Sequence, residues 1–473
     1  MIHRLSATEL AQAIRHQQVS AVDVVANCFE QIDRHNPRLN AVVTLCQARA
    51  EAEAIRADAA IAQGETLGAL HGIPFTVKDL TPTANVRTTF GSQIYRDYVP
   101  PQDELCVARL RAAGGILVGK TNTPEFGMGA HCCNSLFGAT ANPYDLARSS
   151  GGSSGGAAVA VAMGMGHLAQ GTDMGGSCRT PASFCGVVGV RPSAGRIPRR
   201  RKSLLWDFLD TDGILARTVE DAALMLSVMA GDDSGDPLSA GSTWKVPDFS
   251  RSFSEMERSP IRLAFSSNLG IATIDSEVEA VFHQAISKIA THQMVEAHHP
   301  DCSRARFAFE TLRAATLLHK QKHHYETYSH LLSDSVRWNV ERGLGISAAD
   351  LLQAEADRDQ LYLNFLHFFE TYDVLATVSA SIPPFLHTQP EIMEINGISM
   401  GSIIDYLTIT YAISLTGLPA LSIPCGYTTS GLPIGMQLIG KPRGETALFQ
   451  FAYFLQEVLE FNNSYLQNLP SGR

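Results

Sequence analysis

The sequence predicts an α/β fold: one large domain with a central mixed β-sheet covered by helices on both faces. Three observations predict it. Between Leu67 and Val190 short apolar strands alternate with helical segments, punctuated by glycine and proline. That alternation builds a buried sheet flanked by helices. Strand texture returns near the C-terminus, so both ends of the chain feed one sheet. Hydrophobic residues make up 45% and charged residues 18% of 473 positions, ample for the core of an ordinary globular protein.

The first helices occupy residues 6–65. Ser6 with Glu9 and Ser20 with Asp23 fit N-terminal capping spacing, and Gly64 stops the alanine-rich segment that begins near Gln47. A core of about 66–220 follows. Its first strands are 73–77 and 115–118, with 106–113 helical between them, and 157–168 reads as a buried helix running into a strand. Residues 231–252, rich in Ser, Asp, Gly and Pro, predict a surface loop or crossover. Segments from 255 to 473 complete the same fold. Residues 275–370 are helix-rich, and 420–424 and 433–439 pair as a hairpin through Thr428-Thr429-Ser430-Gly431. No internal repeat is visible, so residues 1–473 are expected to form a single domain.

Bulk properties exclude several classes. A formal net charge of −10, from 47 acidic and 37 basic residues, argues against nucleic acid as a partner. Nine cysteines scattered from Cys28 to Cys425 do not make a disulfide framework in so long a chain, and a reducing cytoplasm is the expected location. No signal-peptide pattern opens the chain and no run of 18 apolar residues exists, so no membrane partner is expected.

Chemistry concentrates in two glycine-rich turns, Gly151-Gly152-Ser153-Ser154-Gly155-Gly156 and Gly171-Thr172-Asp173-Met174-Gly175-Gly176-Ser177. Glycines let backbone approach a substrate closely and leave N–H groups to face developing negative charge. Two hydroxyls, Ser153 and Ser177, lie 24 residues apart across a small, apolar segment. This pattern points to acyl transfer. Lys78 ends an apolar strand, which buries its ammonium; an ion pair with Asp79 or Asp173 is the structural alternative to a catalytic role.

Other motifs are look-alikes. The first turn matches G-x-S-x-G twice, yet a nucleophile elbow follows a strand, and 142–150 is polar and turn-like. Residues 114–121 match G-x-x-x-x-G-K-[ST], but Ile116-Leu117-Val118 favours a strand over a phosphate-wrapping loop. Ser242 and Lys245 fit S-x-x-K within a polar loop. His319, His323, His324 and His330 lack an acidic partner at metal-site spacing and read as a polar helix face. Arg199-Arg200-Arg201-Lys202 reads as a solvated loop near the site entrance.

Taken together, Lys78, Ser153 and Ser177 resemble the Lys–Ser–Ser triad of the amidase signature family. Glu125-Phe126-Gly127, Asn134, Phe137-Gly138, Asn142-Pro143, residues 216–219, 417–420 and 435–440 extend the similarity over essentially the whole chain. Cys178, Ser149-Ser150 and Gly213-Ile214 depart from the family pattern without removing a catalytic group.

The resemblance implies amide hydrolysis on a small-molecule carboxamide, with Ser177 as nucleophile and Lys78 as base acting through Ser153. It implies a cis Gly152–Ser153 peptide and an oxyanion hole from the N–H groups of Met174, Gly175, Gly176 and Ser177. Asp173 and Arg179 are expected to brace that turn. Family position places His131, Trp206, Phe208 and the segment 400–411, including Asp405, around the acyl pocket. No metal or organic cofactor is implied, and a homodimer is expected. Two alternatives share the fold: a glutaminase (A-type) subunit of a glutamine-dependent amidotransferase complex, and a catalytically silent binding protein.

Overall fold

Ser6 begins the first helix as its spacing with Glu9 predicts: its hydroxyl accepts from Glu9 N (3.1 Å) and Glu9 Oε2 accepts from Ser6 N (2.7 Å). Helix α1 runs Ala7–Arg15 and α2 runs Ala21–Leu39, the latter capped by Ser20. The computed structural model describes residues 2–200, 202–247, 261–389, 391–402 and 404–461. The stretch 6–65 is not helical throughout. Asn40 takes φ +51°, and Asn36 Oδ1 accepts from the N–H groups of Ala41 and Val42. This turns the β-branched residues of 42–45 into strand β1 (Val42–Leu45) before α3 (Gln47–Ala62).

The core continues with β2 (Pro74–Lys78), α4 (Leu105–Ala112) and β3 (Ile116–Thr121). Next come α5 (Gly155–Ala162), β4 (Leu168–Asp173), α6 (Arg179–Cys185), β5 (Val188–Arg191), β6 (Thr211–Ala216) and α7 (Val219–Met229). Beyond it lie β7 (Arg262–Phe265), α8 (Ser276–Ile289), β8 (Met294–Ala297), α9 (Ala305–Tyr328), α10 (Asp334–Leu344) and α11 (Ala348–Thr371). The chain closes with β9 (Val374–Val378), α12 (Thr408–Thr416), β10 (Ala420–Tyr427), β11 (Pro433–Gly440) and α13 (Glu445–Val458). Residues 231–247 form the expected loop around one 3-10 turn, and 248–252 lie outside the described residues.

Among the described residues these eleven strands form one sheet in the order β1-β3-β2-β4-β6-β5-β10-β11-β9-β7-β8. Parallel pairs β2–β3, β2–β4, β7–β9 and β7–β8 mix with antiparallel ones, including the hairpin β10–β11. One sheet therefore takes strands from residue 42 to residue 440. Side chains alternate across it: Phe75, Val77 and Ile214 join one apolar cluster, while Ala169 and Leu215 join the other. Lys78, two places from Thr76, faces away from the cluster that takes Phe75 and Val77.

The phosphate-loop look-alike is strand β3. Lys120 is buried and donates to Thr81 O (2.5 Å), Thr83 Oγ1 (2.9 Å) and Thr88 Oγ1 (2.9 Å). Its ammonium is committed to the protein interior, and the residues before it run as extended strand. Ser242 donates to Gly195 O (2.9 Å) in a loop, away from any helix that could set it beside Lys245.

Candidate active site

Three chain segments converge at the C-terminal ends of β2 and β4. Lys78, fully buried, donates through Nζ to Ser153 Oγ (2.7 Å), Ser154 Oγ (2.9 Å) and Thr172 Oγ1 (2.9 Å). Neither Asp79 nor Asp173 pairs with it: Asp79 accepts from Thr89, and Asp173 is bound to arginines. Burial pulls the Lys78 pKa down to about 8, partly opposed by anionic neighbours. The three hydroxyls are not equivalent. Ser154 commits its proton to Thr172 O (3.2 Å), so only Ser153 and Thr172 keep a proton to share with a neutral amine.

The Gly152–Ser153 peptide is cis. Ser154 N donates to Ser177 O (3.0 Å), which ties the two serine turns together by backbone. Ser153 and Ser177 line one cavity of about 300 Å³. Among the described residues no hydrogen bond joins their hydroxyls, and Ser177 Oγ has no protein partner.

The 174–177 turn is held from below. Asp173 Oδ1 accepts from Arg179 Nη2 (2.8 Å) and Gly176 N (2.9 Å); Oδ2 accepts from Arg179 Nε (3.1 Å) and Cys178 N (3.0 Å). Arg191 adds bonds to the same residue's carbonyl and carboxylate. All three side chains are fully buried. Burial alone would raise the Asp173 pKa, but the Arg179 and Arg191 guanidiniums hold it well below the usual carboxylate range. One expectation is corrected: the Gly176 N–H is spent on Asp173 and does not face the cavity chemistry. Met174, Gly175 and Ser177 have N–H groups without partners among the described residues.

Gly176 has φ +114°, and a Cβ there would lie 2.5 Å from Thr410 Oγ1, which itself donates to Gly175 O (2.7 Å). Gly176→Ala is therefore expected to lower stability by about 1–3 kcal/mol, read as a reduced urea midpoint. A midpoint equal to wild type would show that the turn tolerates a side chain.

The cavity walls correct the pocket expectations. His131 is not among its lining residues; it hydrogen-bonds Ser149 Oγ (3.0 Å) and packs against Phe385 and His387, and burial lowers its pKa to about 4. Trp206 is 72% exposed. Asp405 spends its carboxylate on the N–H groups of Gly401 and Ser402 and on Arg306 (2.8 Å). Phe208 stacks under Arg358 and lines a different cleft. Among the described residues of the segment 400–411, only Ile404 and Leu407 reach the cavity.

The walls that do form it were hidden in the sequence. Phe309, Arg313, Leu317, Lys320 and Gln321, at helical spacing along α9, line one side. Leu80, Phe126 and Met128 supply apolar surface, and Asp207 and Asp210 add polar surface. The basic loop is solvated at Arg200, whose side chain is 59% exposed beside Asp233, but not at Arg199 and Lys202. Arg199 pairs with Asp210 (3.0 Å) and Asp212 (3.6 Å), Lys202 pairs with Asp236 (2.9 Å), and both line the cavity; Arg201 lies outside the described residues. His324 stacks on Phe126 and bonds Tyr95 and Gln321, bracing the wall. Among the described residues no group of three or more His, Cys, Asp or Glu could hold a metal ion, and no helix is long and apolar enough to cross a membrane.

A family model described as Amidase matches residues 23–449. The chain belongs to the amidase signature family. It is an amide-hydrolysing enzyme by that membership. It is 36% identical over 486 residues to the A subunit of a glutamyl-tRNA(Gln) amidotransferase from Moorella thermoacetica, covering 98% of each chain. It is 34% identical over 469 residues to an acylamidase from Rhodococcus erythropolis, covering 95% of this chain and 94% of the relative. Among solved structures, a bacterial aryl acylamidase of the amidase signature family superposes with a TM-score of 0.90 at 25% identity, covering 100% of this chain and 99% of that one.

Proposed function

We propose that the chain hydrolyses a small carboxamide on its own, through an acyl-enzyme on Ser177. The observation that carries this reading is the buried Lys78 hydrogen-bonded to Ser153 in a cavity that Ser177 also lines. Neutral Lys78 takes a proton from Ser153, and Ser153 takes one from Ser177 as its Oγ attacks the carbonyl carbon. The oxyanion meets the N–H groups of Met174, Gly175 and Ser177. The proton returns along the same path to the leaving nitrogen, the C–N bond breaks, and water then releases the acid from Ser177.

The second reading is a glutaminase that works within a larger complex and passes ammonia to a partner; similarity to the amidotransferase chain supports it. Ammonia or amine release by the purified chain from aliphatic, aromatic and anilide amides and from glutamine separates the two. Turnover with no partner added is the expected result. Turnover that appears only with a partner protein would replace this reading with the second.

A further inference from the structure

Among the described residues, every cation lining the cavity but one is already neutralised. Arg199, Lys202 and Lys320 each have a carboxylate within 4.0 Å, Lys320 pairing with Asp207 (3.0 Å) and Asp210 (3.5 Å). Arg313 has none among the described residues. Its only protein hydrogen bond there runs from Nη1 to the neutral Asn339 Oδ1, and Asn339 is itself anchored by donating to Ser335 O (2.7 Å). A guanidinium carries five donors in a fixed fork; apart from the Nη1 bond to Asn339, those of Arg313 have no protein acceptor among the described residues and are available to a ligand in the cavity it lines.

Its position relates it to the reaction. Phe309 sits directly against the oxyanion turn: a Cβ on Gly175 would lie 3.0 Å from Phe309 Cζ. Arg313 follows four residues later on the same face of α9, about 6 Å further along the helix axis. Leu317 and Leu407 line the same cavity, apolar surface suited to a short aliphatic spacer. We infer that Arg313 receives a carboxylate carried by the amide substrate, so that the preferred substrates are amides bearing an acid group, such as half-amides of short dicarboxylic acids. This inference rests on the amidase reading above and specifies its substrate class. Burial lowers the Arg313 pKa only to about 10, so the guanidinium stays charged at neutral pH. A planar fork facing a carboxylate bidentately supplies both affinity and orientation.

The test compares ammonia release from glutaramate and succinamate with release from the corresponding neutral diamides, with glutamine as a further arm. Wild type is expected to favour the carboxylated amide by about 30-fold or more in kcat/KM. Arg313→Gln should collapse that ratio, mainly through KM, and Arg313→Lys should restore part of it. Asn339→Asp, which hands Arg313 an internal anion, should also lower it. Thermal melts confirm that each variant is folded. A glutamine rate equal to that of glutaramate would identify glutamine as one acceptable source of the carboxylate; a much lower one would assign the site to acids without a neighbouring ammonium. Turnover of diamides with no acid preference, or a ratio unchanged in Arg313→Gln, overturns the inference and leaves the amidase reading intact. If no amide turns over, glutaramate binding to Ser177→Ala by calorimetry decides: binding lost in the Arg313→Gln double variant sustains the carboxylate site while hydrolysis falls, and no binding overturns both.

Discussion

Ser177→Ala is expected to lower kcat/KM for any amide substrate by about 10⁴-fold or more, because no other hydroxyl lining the cavity lies in the 174–177 turn. Lys78→Met should cost about 10³-fold or more through loss of the general base. Groups that act as one relay are not additive, so the double variant should be no slower than Ser177→Ala alone. The wild-type pH profile carries a second signature. Lys78 must be neutral to accept a proton, and its pKa lies at about 8, so kcat/KM should rise with pH along a limb centred near 8. Measuring that limb in wild type, and the residual rate of each variant, tests the relay. Residual activity in Ser177→Ala within tenfold of wild type would remove Ser177 as nucleophile; a flat profile from pH 6 to 9 would remove Lys78 as base.

The same burial has a stability consequence of definite sign. Lys78 and Lys120 both titrate at about 8 in the folded chain, against about 10.4 for a solvated lysine. Between those values the unfolded chain binds more protons, so stability rises with pH through that window.

Asp173→Ala is the larger structural perturbation. It would leave Arg179 and Arg191, both fully buried, without their shared carboxylate, and would free the N–H groups of Gly176 and Cys178. Removing one member of a buried ion cluster costs about 3–5 kcal/mol, which should appear as a large drop in the urea midpoint and in yield of folded protein. The acid side gives an independent reading. Because the Asp173 carboxyl is held below its unfolded value of 3.8, its contribution is complete above that pH and is lost as pH falls below it. The variant should therefore show a shallower loss of stability as pH falls from about 4 to 2 than wild type. A stability change under about 1 kcal/mol would mean that solvent or relaxed backbone replaces the carboxylate.

Much of this site could be read without coordinates because its chemistry is local in sequence. Glycine-rich turns announce close backbone approach, an apolar strand ending on Lys78 announces a buried amine, and Ser6 with Glu9 announces a helix start. These signals depend on residue type and short spacing, which a chain carries whatever it packs against. The same holds for β3, where Ile116-Leu117-Val118 outweighs a motif match to a phosphate loop.

What lines the cavity was decided only by tertiary structure. Arg313 and Lys320 lie on a helix whose mixed face looks like any solvated one; packing of α9 against the 174–177 turn makes it a wall. Arg199 and Lys202 look like part of a solvated run, yet Asp210, Asp212 and Asp236, met only on folding, pair with them. His131 and Asp405 are held by Ser149 and Arg306, partners that a linear reading does not set beside them. Even the Gly176 N–H, in a turn legible from its glycines, is claimed by Asp173 three residues away. The sequence by itself marked the candidate reacting groups, since their chemistry is intrinsic to residue type and local backbone. Tertiary structure decided which charges are neutralised and which face the substrate, because pairing energies depend on distances between segments far apart in the chain.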